Sequence, residues 1–169
     1  MSHANILVLK RTSADDVYDT FKADEDQLAE NFSYCTDYVT EQSPVDYEEI
    51  FSKAFQYLTI KCGGEQWITK TGPLSFKLTR RGIVFYFEAL RIDLIQMTKN
   101  IENGPIDLFI NNTLHGWWAI KESIETDYEG LWKFEDSYPL PLTSFLQNLY
   151  ILGEEEYELE LIQAFDYHY

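Results

Sequence analysis

Three residues in this chain could form a nucleophilic catalytic group: Cys35, His115 and Asp107. A thiol becomes a nucleophile when a histidine accepts its proton and a carboxylate orients that histidine. However, the chain has no glycine-rich phosphate loop, no G-x-S-x-G sequence and no H-E-x-x-H sequence. We expect His115 to hydrogen-bond to backbone and the protein not to be an enzyme. A small hydrolase using His115 is one alternative.

The run Asp24, Glu25 and Asp26 is a group of oxygen ligands that could attract a metal ion. It lacks the glycine and the terminal glutamate of a calcium loop, and the three histidines form no spaced ligand pair. We therefore expect no metal site and no cofactor. The acidic run is instead interpreted as a solvated helix start.

A basic group with aromatic neighbours could contact nucleic acid. Lys77, Arg80 and Arg81 are close in sequence, and Phe76 and Phe85 flank them. Cations follow the phosphate backbone and rings stack on bases in such sites. A net charge of -16 opposes the approach of nucleic acid. We expect these cations to face acidic segments within the fold, with a nucleic-acid binder as another alternative.

The acidic residues are segregated along the chain. From Asp15 to Glu49 there are 12 acids against one base, and from Glu122 to Tyr169 another 12 against one. The segment between them has 9 bases and 5 acids, and the two acidic segments hold 10 of the 12 tyrosines. Such a field attracts basic protein surfaces, and tyrosine rings often anchor interface centres. The pattern favours a protein partner over nucleic acid or a membrane.

The predicted contact surface draws on both acidic segments. Its residues are Asp15, Asp16, Asp19, Asp24, Glu25, Asp26, Glu154, Glu155, Glu156, Glu158 and Glu160, together with the rings of Tyr157 and Tyr167. Enzymes that act on nucleic acid are cationic where they hold phosphate, so an acidic protein can occlude them. We expect a non-catalytic binding protein that neutralises such a basic partner, as a toxin immunity protein or antitoxin does. A phage-type nucleic-acid mimic that inhibits a host defence enzyme is a further alternative.

Size and composition indicate one globular domain. At 169 residues with 45% hydrophobic side chains, the chain can bury roughly 70% of its unfolded surface. Two cysteines do not make a disulfide framework, so we expect reduced thiols. No apolar run approaches the ~20 residues of a membrane span, and the first ten residues do not resemble a signal peptide. A cytoplasmic protein is expected.

Hydrophobic spacing and turn residues predict the elements that must position these side chains. The expected helices are one opened by a capping box at Ser13 and Asp16, one over 24–32, one from Ser43 and Pro44 to Leu58, and one that Thr143 caps and Gly153 ends. The expected strands are 5–9, 66–70, 74–79, 83–88, 91–97, 106–110, 116–120 and 131–134, with turns at Gly72-Pro73 and Arg81-Gly82. Helix remains the alternative for 85–97.

The C-terminal segment alternates in the manner of a strand. Its two predicted sides are Tyr157, Leu159, Leu161, Gln163, Phe165 and Tyr167 on one, and Glu156, Glu158, Glu160, Ile162 and Ala164 on the other. This pattern predicts a row of carboxylates on the outer face. The fold class expected is α+β, a single domain with helices packed on a largely antiparallel sheet.

Overall fold

Residues 156–168 form the strand on which the sheet is organised. The structure is a computed structural model that describes residues 3–12, 25, 26, 28, 38–104, 130–134 and 138–168. Its strands are β1 His3–Arg11, β2 Tyr38–Glu41, β3 Ile68–Lys70, β4 Ser75–Thr79, β5 Gly130–Phe134 and β6 Glu156–His168. Its helices are α1 Tyr47–Lys61, which follows a 3-10 turn Pro44–Asp46, α2 Arg80–Asn103 and α3 Leu142–Leu152.

The six strands form one sheet of order β3-β4-β6-β1-β5, and β2 also pairs with β6. The β1–β5 pair is parallel and every other pair is antiparallel. The expected fold, a single α+β domain with a largely antiparallel sheet, is confirmed. No described helix combines the length and the apolar character that a bilayer span requires.

Both faces of the sheet are apolar where β1 crosses it. Leu7 and Leu9 point to the first face and join a core formed with side chains from α1, α2 and α3. Ile6 and Val8 point to the second face and pack with Val39, Phe165 and Leu28. A strand buried on both sides needs a continuous apolar run, which is what Ile6 to Leu9 supplies.

A bulge in β6 changes which of its residues face which side. Val8 lies opposite Gln163 and Leu9 lies opposite Leu161, so Ile162 is an extra residue in the pairing. The predicted alternation holds from Glu156 to Leu161 and then shifts by one residue. As a result Phe165 and Tyr167 belong to the second face and Ala164 to the first, contrary to the predicted sides.

Residues 80–103 form a helix, so the strands predicted over 83–88 and 91–97 and the turn at Arg81-Gly82 were wrong. Thr79 is the N-cap, and its hydroxyl accepts a hydrogen bond from the Gly82 backbone N–H at 3.2 Å. A Cβ at Gly82 would lie 3.0 Å from Trp67 and 3.1 Å from Leu78, so glycine permits this close approach of helix and sheet. The helical alternative for 85–97 is confirmed.

The other predicted helices and strands either differ from the observed ones by a few residues or lie outside the residues that the structure describes. Pro44 opens a 3-10 turn rather than the α-helix, and α3 begins at Leu142 with Pro141 as its N-cap instead of Thr143. Gly153 ends α3 with φ 83°, as expected of a left-handed cap. The described residues of 24–32 are helical. The capping box at 13–16 and the strands 106–110 and 116–120 fall outside the described residues.

Candidate functional site

The predicted carboxylate row lies on the second face of the sheet. Glu156, Glu158 and Glu160 alternate along β6 and stand opposite polar residues of β4. Glu156 and Glu158 are exposed and Glu160 is half-buried. In the described part of the chain, the side chains of Glu158 and Glu160 make no hydrogen bond or ion pair. Two carboxylates about 6.8 Å apart along a strand are thus open to a partner.

Cations border this row on both sides. Lys77 on β4 lies opposite Glu158, and its ammonium is 3.1 Å from a carboxylate oxygen of Glu156. Lys10 on β1 lies opposite Glu160. The proximity of Lys77 to Glu156 agrees with the expectation that basic residues face the acidic segments. Exposed pairs of this kind contribute only about 0–1 kcal/mol, so a partner's cation can replace Lys77 at low cost.

A cleft of about 230 Å³ opens at the end of the row. It is lined by Arg11, Thr12, Lys77, Glu154, Glu156, Tyr157 and Glu158. Arg11 pairs with Glu154 across it, and the exposed Glu155 follows without a side-chain partner in the described residues. The cleft therefore contains both paired and open carboxylates.

Part of the first acidic segment lies on the same side of the sheet as the row. Leu28 packs into the second-face cluster, and Glu25 and Asp26, which are also helical, precede it in the sequence. A carboxylate oxygen of Glu25 accepts the backbone N–H of Glu41 at 2.5 Å. Glu41 faces Phe165, five residues along β6 from Glu160, or roughly 17 Å. The remaining predicted acids, Asp15, Asp16, Asp19 and Asp24, lie outside the described residues.

Tyr157 is a core residue and not a surface anchor. Its side chain is 1% exposed and belongs to the first-face cluster. Its hydroxyl donates to the Leu149 carbonyl at 2.5 Å and accepts the backbone N–H of Glu154 at 2.9 Å. The predicted role of this ring at an interface is therefore corrected, because the ring fastens the end of α3 to β6. Tyr167 is half-buried and packs against the second-face cluster.

The three cations predicted as an alternative nucleic-acid site do not form one patch. The Arg80 guanidinium lies over the Tyr150 ring at 4.3 Å, and that of Arg81 lies over the Trp67 ring at 5.8 Å. Lys77 stands on the second face of the sheet, whereas α2 packs on the first. Each cation thus already has a carboxylate or aromatic neighbour.

The structure contains a groove between α2 and α3 that was not predicted from the sequence. It has a volume of about 480 Å³ and is lined by Val84, Phe87, Glu88, Arg91, Gln147 and Tyr150. The strands predicted over 83–97 would not form this groove, because one of its walls is a face of the helix α2. Apolar residues at 83, 86, 87, 90 and 94 follow helical spacing, and this signal could have revealed the groove.

Burial favours the protonated form of two titratable side chains among the described residues, Cys62 and Tyr47. Burial raises the pKa of the Cys62 thiol to about 12, which disfavours the reactive thiolate. Burial also raises the pKa of Tyr47, whose hydroxyl lies 3.1 Å from Glu41. No group of three or more metal-binding side chains occurs in the described part of the chain. Cys35, Asp107 and His115 lie outside that part.

Comparison of the chain with protein-family models, with curated proteins and with solved structures found no match. Any assignment of function must therefore be argued from the surfaces themselves.

Proposed function

We propose that this protein is a non-catalytic binding protein that neutralises a basic, nucleic-acid-processing protein by occlusion, in the manner of an immunity protein or antitoxin. One observation carries the proposal. On the second face Glu158 is exposed and Glu160 is half-buried, and neither side chain has a partner in the described residues. Carboxylates in this state are available to pair with lysine or arginine.

The position of the row on β6 makes it a rigid binding element. β4 pairs with β6 along the whole row, and on the other side β1 pairs with it at Leu159 and Glu160. The backbone N–H of Thr12 also donates to the Glu158 carbonyl at 3.0 Å, so the backbone at Glu158 and Glu160 is held on both sides. Binding of a partner there immobilises little additional backbone, so the loss of conformational entropy on binding is small. The neighbouring Lys10 and Lys77 fix the register, because a partner's cation avoids them and its acid is drawn to them.

The overall charge supports the encounter with such a partner. A net charge of -16 accelerates association with a cationic surface at low ionic strength. Screening reduces this acceleration, since the Debye length falls to about 8 Å at physiological salt. Binding should therefore be fast, and its rate should depend on salt.

The proposal is tested by capture of the partner from the native host at about 50 mM and about 300 mM salt, followed by mass spectrometry. The partner is then purified, and its affinity is measured for the wild type and for Glu158→Gln/Glu160→Gln. The double variant Glu65→Gln/Glu102→Gln is the matched control, since both its positions are exposed and distant from the row in sequence. We expect a loss of at least about tenfold for the first variant and less than about twofold for the control.

Occlusion adds a second requirement. Nucleic acid should compete with this protein for the partner, and the partner's activity should fall in proportion to the complex formed. The proposal fails if no basic protein is enriched, if both double variants bind equally well, or if the captured partner stays fully active in the complex.

A further inference from the structure

Helix α2 presents a stripe whose residues are exposed, apart from the half-buried Val84, in the part of the chain that the structure describes. Val84, Glu88, Arg91 and Ile95 follow the spacing of one helix face and line or extend the groove toward α3. Among the described side chains of α2, Tyr86 is the last that is buried. Ile95 is 49% exposed and its neighbour Ile92 is 62% exposed. The second half of the helix therefore leaves apolar surface in water.

Two charged side chains in the middle of the stripe have no hydrogen-bond or ion-pair partner in the described part of the chain. Glu88 and Arg91 are both exposed, and neither side chain makes a hydrogen bond or ion pair within the part of the chain that the structure describes. They are three residues apart, a spacing at which a helix often forms such a pair. Both groups are thus free to bind charges of opposite sign on another surface.

We propose that the occupant of this surface is a second copy of this chain, with the two α2 helices antiparallel about a two-fold axis. An axis between Ala89 and Leu90 places Glu88 of one subunit opposite Arg91 of the partner subunit, and the converse pair forms by symmetry. The same axis places Val84 opposite Ile95 of the partner subunit. The stripe is self-complementary, with two ion pairs at the centre and apolar contacts on either side, as a two-fold interface requires.

Side chains at the end of α3, on the other wall of the groove, add to the area that a dimer would bury. The stripe from Val84 to Ile95 is about 17 Å long, and a single helix face of this length buries less than the roughly 800 Å² per partner of a standard interface. Tyr150, Ile151 and Leu152 at the end of α3 are all exposed large side chains and lie at or beside the opposite wall. Their burial would supply the remaining apolar area.

Neighbouring charges are compatible with this arrangement. Arg80, one turn before Val84, is stacked on Tyr150 and so is directed to its own subunit. The same axis places Lys99 opposite Arg80 of the partner subunit, about 14 Å along the helix from the axis, where crossing helices diverge and separate these like charges. The surface lies on the opposite side of the sheet from the glutamate row, so the inference does not depend on the proposed function.

Charge reversal gives a test that separates disrupted binding from disrupted folding. Sedimentation of the full chain at about 150 mM salt should show a reversible dimer. Glu88→Arg alone and Arg91→Glu alone should each raise the dimer dissociation constant at least about tenfold, because each places like charges opposite one another. An equimolar mixture of the two single variants should assemble, since one then carries two cations and the other two anions at the seam.

Two further variants complete the design. The exchange Glu88→Arg/Arg91→Glu should return the dissociation constant to within about threefold of wild type, because the pairs are restored with opposite polarity. Asp93→Arg is the control, since Asp93 is exposed but lies off the stripe, and it should not weaken the dimer more than about twofold. The inference is overturned if the wild type remains monomeric at high concentration, if the single variants dimerise normally, or if their mixture does not assemble.

Discussion

Replacement of Tyr157 by phenylalanine removes one hydroxyl that satisfies two backbone groups. The hydroxyl donates to Leu149 at 2.5 Å and accepts from the backbone N–H of Glu154 at 2.9 Å, beside a ring that is 1% exposed. A buried polar group without a partner costs about 1–3 kcal/mol. Water can reach the Glu154 N–H, whose residue is exposed, and so recovers part of that cost. We expect the free energy of unfolding to fall by about 2 kcal/mol.

This loss can be measured by urea denaturation followed by far-UV circular dichroism, and as a fall of about 4–8 °C in Tm for a domain of this size. Tyr150→Phe is the matched control, because Tyr150 is 42% exposed and its hydroxyl has no hydrogen bond in the described part of the chain. The control should remain within about 0.5 kcal/mol of wild type.

Amide hydrogen exchange supplies a local measurement of the same contact. The Glu154 amide should lose protection in Tyr157→Phe, while amides in the middle of β6 change only as much as global stability does. The predicted role of the Tyr157 hydroxyl is wrong if Tyr157→Phe is no less stable than Tyr150→Phe, or if the Glu154 amide exchanges at the wild-type rate.

Three further predictions concern single groups. Burial, with a smaller contribution from Glu41, raises the pKa of Tyr47, so above about pH 10 the unfolded chain loses this proton first. The free energy of unfolding should therefore fall as pH rises above 10, and Tyr47→Phe should flatten that fall in urea titrations. The Cys62 thiol, with a pKa of about 12, should react with a disulfide reagent at pH 8 at least about a hundredfold more slowly than a free thiol. Gly153 has φ 83°, so Gly153→Ala should cost about 1–2 kcal/mol, whereas Gly153→Asn should cost less because asparagine tolerates this conformation.

Each of these expectations has an outcome that contradicts it. An unchanged slope above pH 10 in Tyr47→Phe would assign the titration to another group. Peptide mapping that finds Cys62 labelled within minutes in the native protein would contradict its burial. Equal stability of the alanine and asparagine variants at Gly153 would show that the left-handed backbone carries no cost there.

Sequence spacing predicted the glutamate row correctly because a strand with one buried side has a strict period of two. Apolar residues at 157, 159 and 161 and acids between them leave only one register that buries the apolar set. The bulge at Ile162 was not predictable in the same way. It depends on how β6 pairs with β1, and the residues beyond it alternate equally well before and after a one-residue shift.

Composition was a weaker guide for individual aromatic residues. Tyrosine is amphipathic, so the same residue type suits an interface and the edge of a core. Tyr157 alternates with Leu159 and Leu161 on the buried side of β6, so the strand pattern itself places its ring in the core. The pattern does not reveal the hydrogen bond from its hydroxyl to the Leu149 carbonyl. Helix α2 was misassigned because the continuous apolar run over 83–87 obscures the helical spacing that 83, 86, 87, 90 and 94 show together, and because its cap at Thr79 was not recognised.

The position of β6 in the sheet also constrains the order of folding during synthesis. Residues 156–168 pair with β4, β1 and β2, so these three strands lack their shared neighbour until that segment has been translated. β1 must wait about 150 residues for its antiparallel partner, and contacts so distant in sequence are typical of slow folding. Until then the apolar run Ile6 to Leu9 has no antiparallel neighbour on the nascent chain. A ribosome-bound chain that has not yet released β6 is therefore expected to bind chaperones and to be cut readily by proteases.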